Sequence, residues 1–479
     1  MKIWNKYKNM PVQVKASLWY TICNFLQKGI SFIVVPIYVR LLTPAEYGEW
    51  SVFQSWRDIL IIFASLNLYA GVYTKTLVDM PDPQARDRYT SSMQGLGTLV
   101  TLVMLVFYFF THEWCNKVVG LETPYMLLLF LYFIVYPGLA FWTTRQRVEY
   151  KYRPMVAVTV IISILTPALS ILLLQKTDLR ANALILGYLL VQCGVGIIFY
   201  VYQFCKGKCF YDKEYWRYAL RFNIPLIPHY LSLIVLAQAD RIMIRYFCGE
   251  SDAGIYSFAY QIASAINVLI GAINGSRVPW TYEQLKSEKY NSLKKITNAL
   301  VVMLAGITVF VCLISPEIIK VLGTADYGIA EYVIPVVTLG VYFTFIYDLF
   351  ATVEFYYGAT QYVMFASIIG AVLNVVLNAL FIPRFGFIAA AYTTLVCYIV
   401  FMAMHYLFSK KVLRIQNIDG GVYNNRIVFL ISFITLAVGL ASMLTFNYLY
   451  VRFALIAAII ILCIIKRHAI KSLITAVRR

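Results

Sequence analysis

Asn24, Lys28 and Ser31 recur at i, i+4 and i+7 inside WYTICNFLQKGISFIVVPIY (Trp19 to Tyr38), a stretch otherwise apolar enough to cross a bilayer. On a helix that spacing gathers them on one face. A lysine at that depth costs ~3 kcal/mol on insertion scales, so a polar cavity or an acidic partner has to offset it. Gln54, Arg57 and Asp58 share a face of the next apolar segment by the same rule. A short loop joins the two segments, which makes them expected neighbours. Lys28 and Arg57 set against Asp58 leave a surplus positive charge, and that favours a hydrated cavity built for an anion. The structural alternative is a Lys28–Asp58 or Arg57–Asp58 pair that only joins helices.

The elements that carry these residues follow from composition. The chain has 479 residues, 61% of them hydrophobic and 13% charged, with a mean hydropathy of +0.71. A soluble domain would be roughly a quarter charged. The apolar residues fall in blocks of about twenty, the length that crosses ~30 Å of hydrocarbon as a helix. The reading is an all-α polytopic membrane protein. Fourteen spans are expected, at 15–38, 47–71, 91–110, 123–142, 154–175, 181–204, 222–247, 253–276, 296–315, 331–352, 361–383, 387–408, 427–446 and 448–465. The start, MKIWNKYKNMPVQVK, is polar and basic for too long to read as a cleavable leader.

With the N-terminus placed in the cytoplasm, seven of the 41 Lys and Arg residues fall in outside loops (Arg40, Lys117, Lys176, Arg180, Lys320, Arg384, Arg452). Four lie within spans (Lys28, Arg57, Arg241, Arg245), and the remaining 30 are inside. That asymmetry predicts cytoplasmic termini. The net charge of +18 is thereby assigned to topology and to membrane lipids, not to nucleic acid. The nine cysteines, Cys205 and Cys209 included, show no second ligand cluster and read as reduced structural thiols. No cofactor is expected.

Thr43 to Phe53 (TPAEYGEWSVF) has a counterpart in Glu250 to Tyr260 (ESDAGIYSFAY), about 206 residues on, matching Gly48 to Gly254 and Ser51 to Ser257. Six spans per copy is even, so the copies enter from the same side as parallel repeats, with substrate expected between the lobes. The lobes are expected at 1–206 and 207–420, with two further helices in 421–479. TPAEYG itself reads as a helix start, with Thr43 as cap, Pro44 in the first position and Glu46 in the third.

Further candidates follow along the chain. AQADRIMIRYF puts Gln238, Arg241 and Arg245 on one face with Asp240 beside them; Arg245, near the end, can also snorkel to headgroups. Pro225 and Pro228 kink the start of this span, and His229 beside them is either a proton relay or an interfacial residue. Arg277 can meet an anionic headgroup or simply anchor its helix. Asp348 and the weaker Glu354 are titratable carboxylates in the tenth span. Asn374 and Asn378, one turn apart, can bind sugar hydroxyls or another helix. Tyr342, Tyr347 and Tyr356 are candidates for stacking on sugars. The substrate-binding set is therefore Asn24, Lys28, Gln54, Arg57, Arg241, Arg245, Arg277, Asn374 and Asn378. Asp58, Asp240 and Asp348 are the candidates for coupling to H+ or Na+.

NFLQKGISFIVVPIYVRLLTPAEYG, LAQADRIMIRYFCGESDAGIYSFAYQIA and PRFGFIAAAYTTLVCYI, in that order, resemble the polysaccharide-biosynthesis flippases often called Wzx. The resemblance covers about residues 12–410 and extends to the superfamily of lipid II flippases and MATE exporters. It implies fourteen helices, two six-helix lobes in alternating access, and a cationic cavity in which Lys28 and Arg57 match basic positions of the first lobe. HYLSLIVL, where the second lobe would carry a counterpart, has no such residue. The resemblance further implies an oligosaccharide repeat unit on undecaprenyl pyrophosphate, moved across the bacterial plasma membrane, with a polymerase and a chain-length regulator as partners. The final pair of helices is the implied groove for the lipid tail. The rival readings are a multidrug or cation antiporter with acidic or aromatic lining, a lipid II flippase, and a membrane glycosyltransferase or polymerase. The last fits poorly, because no extramembrane domain or acidic metal cluster is visible.

Overall fold

The structure, a computed structural model, describes residues 10–418 and 421–465. Among them the regular structure is helical throughout, as lipid requires when every backbone donor and acceptor must be satisfied within its own segment. Among the described residues, twelve helices are long and apolar enough to cross a membrane. Of the fourteen expected spans, the second is a full-length helix, but Glu46, Glu49, Arg57 and Asp58 interrupt its apolar run. The last, Leu449–Ile465, has 17 residues, the short end of what can span.

The chain divides into two compact units. Unit 1 holds the chain up to Tyr38 and Ala45–Ile242; unit 2 holds Val39–Pro44 and the chain from Met243 onward. Unit 1 comprises α1 (Val12–Leu41, up to Tyr38), α2 (Pro44–Ser65), the short α3 (Val72–Asp79), α4 (Pro83–Val119), α5 (Thr123–Val148), α6 (Tyr152–Lys176), α7 (Ala181–Gly207), α8 (Lys213–Asn223) and most of α9 (Ile227–Cys248). The duplication puts the lobe border at 206/207, whereas packing keeps α8 and α9 as far as Ile242 with unit 1. The reason is local: Trp216 donates its indole N–H to Ser92 O at 3.0 Å, and Ala219 is buried with Tyr73, Tyr89 and Phe141 in one core. The second span also ends earlier than expected. Leu66 and Asn67 take φ of 49° and break the helix, and the Asn223 amide donates to both of their carbonyls at 3.1 and 3.2 Å.

Sequence-level punctuation explains many of the ends. Asp82 caps α4 through Gln84 N and Ala85 N with Pro83 in the first position, and Asp212 caps α8 through Glu214 N and Tyr215 N. Between α8 and α9 the IPL segment Ile224–Leu226 tightens into a 3-10 turn around Pro225. At the end of α5, Glu149 is pushed up by partial burial but held below its usual range by Arg145 at 2.8 Å and Lys151 at 2.7 Å.

Unit 2 contains α10 (Glu250–Lys286), α11 (Tyr290–Leu313), α12 (Ser315–Leu322), α13 (Ala330–Tyr356), α14 (Thr360–Phe385), α15 (Ile388–Ile415), α16 (Asn425–Ala441) and α17 (Leu449–Ile465). α13 is apolar on nearly every side and is the buried centre of the unit, packed by α10 and α15. The repeat is visible locally: Gly48 and Gly254 are both buried, and Ser51 and Ser257 each bond back to a carbonyl of their own helix, at 2.9 and 2.6 Å. Arg452, expected in an outside loop, is buried against Glu317 and donates to Phe446 O at 3.1 Å, tying α17 to α12.

In unit 1, α5 and α7 approach so closely that a Cβ on Gly138 would lie 2.7 Å from the Tyr200 backbone nitrogen. Small residues allow such contacts between membrane helices. Gly138→Val is expected to destabilise the fold by about 1–3 kcal/mol. Thermal unfolding in detergent checks this, with a lowered midpoint expected.

Candidate functional site

Arg57 and Asp58 project from the middle of α2 into a cavity of about 360 Å³ within unit 1. The Arg57 guanidinium pairs with Asp58 Oδ1 through Nη2 at 2.7 Å and Nε at 3.0 Å, and lies 4.6 Å from the ring centre of Tyr188. An arginine in this setting is stabilised by ion pairing and by the aromatic face together. Asp58 Oδ2 accepts from the Gln238 amide at 3.0 Å. Gln238 Oε1 in turn accepts from Arg241 at 2.6 Å and from Ser55 Oγ at 3.2 Å. A continuous polar chain thus links α2 to α9.

Tyrosines form the rest of the lining: Tyr69, Tyr132, Tyr136, Tyr188 and Tyr230. Tyr132 and Tyr136 lie one turn apart on α5 with ring centres 4.9 Å apart, and Tyr188 Oη donates to Tyr132 Oη at 3.4 Å. Tyr69 stands edge-on to Tyr136 at 6.2 Å. The wall therefore offers flat apolar faces, hydroxyls and one ion pair. Chemically that suits a ligand with alternating CH faces and hydroxyls, with Arg57 and Asp58 able to accept a charged or polar substituent.

The expected site residues separate in the structure. Arg57 and Asp58 line the cavity, and Arg241 joins them through Gln238. Gln54 is half-buried one turn away and is not part of the lining. Asn24 and Lys28 are exposed on α1 and lie outside the cavity, so the shared Lys28–Arg57 lining is corrected. α1 packs little of its surface within the structure, and its polar face carries no weight in walling the cavity. The expected positive surplus is also corrected. With Lys28 absent, the cavity lining carries one cation, Arg57, paired with one anion, Asp58.

In unit 2, Arg277 is buried and pairs with Asp348 at 2.5 Å, with Asn274 and Thr352 as further partners at 2.9 and 3.2 Å. The headgroup reading of Arg277 is replaced by this internal pair on α10 and α13. Arg245 pairs with Glu250 at 3.3 Å. Asn374 and Asn378 are fully buried: Asn374 donates to Thr394 at 2.9 Å and Asn378 accepts from Thr393. Their amides join α14 to α15 and have no surface left for a sugar. Tyr342 bonds Ser432 at 3.1 Å, and Tyr347 stacks on His405 with ring centres 5.5 Å apart. His405 is a buried group that sequence reasoning missed. Its Nδ1 faces both Glu354 oxygens at 3.0 and 3.1 Å, and neither side chain is exposed. No group of three or more His, Cys, Asp or Glu that could hold a metal occurs among the described residues.

Removing one member of a partly buried pair leaves the other charge without its partner, a cost that solvent reaching the 32% exposed Asp58 reduces below that of a sealed pair. Asp58→Ala is therefore expected to lower the thermal midpoint in detergent further than the double variant Arg57→Gln/Asp58→Asn. A double variant worse than the single would show that the pair is not the stabilising unit.

The profile of the family described as "Polysaccharide biosynthesis protein" matches residues 14–285. An uncharacterised membrane protein of Haemophilus influenzae is 28% identical over 377 residues, covering 75% of this chain and 88% of that one. An uncharacterised membrane protein of Methanocaldococcus jannaschii is 19% identical over 433 residues, covering 84% and 85%. Among solved structures, the lipid II flippase MurJ in an inward closed conformation superposes with a TM-score of 0.66 at 16% identity, over 95% of this chain and all of that one. An inward-facing MATE multidrug-resistance transporter of the MOP superfamily gives 0.62 at 13% identity, over 86% and 99%. The fold is that of MurJ and the MATE transporters.

Proposed function

The chain belongs to the polysaccharide biosynthesis protein family, and from that premise we propose that it is a flippase for lipid-linked oligosaccharides. The substrate is an oligosaccharide repeat unit on undecaprenyl pyrophosphate, carried from the inner to the outer leaflet of a bacterial plasma membrane by alternating access. The observation that carries this reading is the unit 1 cavity, where tyrosine faces and hydroxyls surround Arg57.

The physics of the task supports it. A pyrophosphate with its sugars cannot cross hydrocarbon bare, since each unsatisfied polar group costs several kcal/mol. A hollow with aromatic faces and fixed hydrogen-bond partners replaces the hydration of the sugars, while the isoprenoid tail stays in lipid. Arg57 can turn part of its charge toward an incoming anion if Asp58 passes to Gln238, with which it already shares a hydrogen bond. Protonation of Asp58, Asp240 or Asp348, or a bound Na+, is the coupling step in this account. Both termini are cytoplasmic, and a polymerase and chain-length regulator act on the product.

One observation favours a second reading. Asp58 is more exposed than Arg57, 32% against 13% of the side chain, and an accessible acid among tyrosines also suits an organic cation. The two readings part in reconstituted vesicles. The flippase reading expects the protein to move a lipid-linked oligosaccharide, Arg57→Ala to abolish that movement, and Lys28→Ala, outside the cavity, to reduce it only several-fold. Export of organic cations with no movement of the lipid-linked sugar would sink it. In cells, Arg57→Ala is expected to remove surface polysaccharide while the protein still inserts in the membrane.

A further inference from the structure

A second hollow, of about 340 Å³, lies in unit 2 where the last turns of α15 meet the connection to α16. Phe350, Tyr406 and Tyr423 line it, and with Phe429 they form an aromatic cluster: Phe350 is 5.4 Å from Tyr406 and 6.0 Å from Tyr423, and Tyr406 is 4.9 Å from Phe429. Tyr423 is buried and donates to Leu349 O at 3.0 Å, which ties the connection to α13. Lys410 and Arg414 complete the lining, together with Ser409 and Asn425. Four residues of helix set the two cations about 6 Å apart along the axis. Both are exposed, and neither has an acidic partner within 4 Å among the described residues. Lys411 and Arg426 add charge nearby, against Asp419, which lies outside the described residues.

The two helices that carry the lining also present exposed apolar side chains. Leu407 and Ile415 on α15, and Leu430 and Phe433 on α16, are each 60% exposed or more. We propose that the hollow binds the phosphate headgroup of an anionic lipid, with the phosphate between Lys410 and Arg414 and the hydrocarbon chains along those four residues. A guanidinium and an ammonium one turn apart can reach different oxygens of one phosphate. Aromatic rings at the end of a span occupy the depth of lipid headgroups. A soluble phosphate would use the two cations equally well; the position of the hollow at the ends of two spans, at headgroup depth, favours the lipid. The site is separate from the Arg57 cavity and stands whether or not that cavity carries the transported sugar.

Native mass spectrometry of the full chain in detergent, titrated with phosphatidylglycerol or phosphatidylcholine, tests the site. Phosphatidylglycerol is expected to bind preferentially, and Lys410→Gln/Arg414→Gln to weaken it by roughly tenfold. Lys411→Gln/Arg426→Gln removes the same charge outside the hollow and is expected to have a much smaller effect. Lys410→Arg/Arg414→Lys keeps the charges and should bind as the parent does. Equal losses in the two double variants would mean diffuse attraction and overturn the site, as would equal binding of phosphatidylcholine. Inorganic phosphate without lipid provides the last arm. If it raises the thermal midpoint of the parent chain as much as phosphatidylglycerol does, and not that of Lys410→Gln/Arg414→Gln, the hollow belongs to a soluble anion and the lipid assignment fails.

Discussion

A guanidinium inside an apolar helical unit must be solvated by the protein itself, and the structure around Arg57 follows from that constraint. Asp58 supplies the counter-charge and Tyr188 the aromatic face. Gln238 holds Asp58 in place and passes the chain of hydrogen bonds to Arg241. Because a buried pair roughly breaks even against apolar packing, its presence is weak evidence for stability and better evidence for a task. The cavity beside it supplies that task. Had the pair been sealed by side chains, it would read as helix glue, as the fully enclosed His405 and Glu354 do in unit 2.

The two units handle buried polarity differently. Unit 1 opens its ion pair to a hollow walled by tyrosines. Unit 2 keeps His405 and Glu354 wholly enclosed and gives Arg277 three polar neighbours around Asp348. Its Asn374–Thr394 and Asn378–Thr393 contacts are the kind of interhelical amide bonds that join membrane helices, worth about 0.6 kcal/mol on average in such settings. Fold likeness to MurJ and to MATE transporters sets the scaffold, while the lining residues decide the cargo.

Much of the architecture was legible in the sequence, because lipid leaves helices as the usable element and apolar length marks each one. Pro44 after Thr43 announced a helix start that the structure places there, whereas the helix from Pro83 begins well before the expected span at 91. Arg57 and Asp58 were legible as ionisable groups out of place in a span. Lys28 misled by the same rule: spacing reports which residues share a face, and cannot say whether that face turns inward. The tyrosine wall was hidden among 38 tyrosines, since its members come from different helices; only Tyr132 and Tyr136 carried a local signal, one turn apart on α5. His405 lies 51 residues from Glu354, and no local pattern links them. The asparagines of α14 left two readings open until their partners on α15 were visible.

The central claim is that the tyrosine-walled hollow beside Arg57 receives the sugar head of a lipid. The most direct measurement is photo-crosslinking with a benzoylphenylalanine placed at Tyr136 in membranes that make a lipid-linked oligosaccharide. The account predicts a saccharide-bearing adduct at Tyr136 and none from the same probe at the enclosed Tyr342. Adducts absent from Tyr136, or equally abundant at both positions, would contradict it.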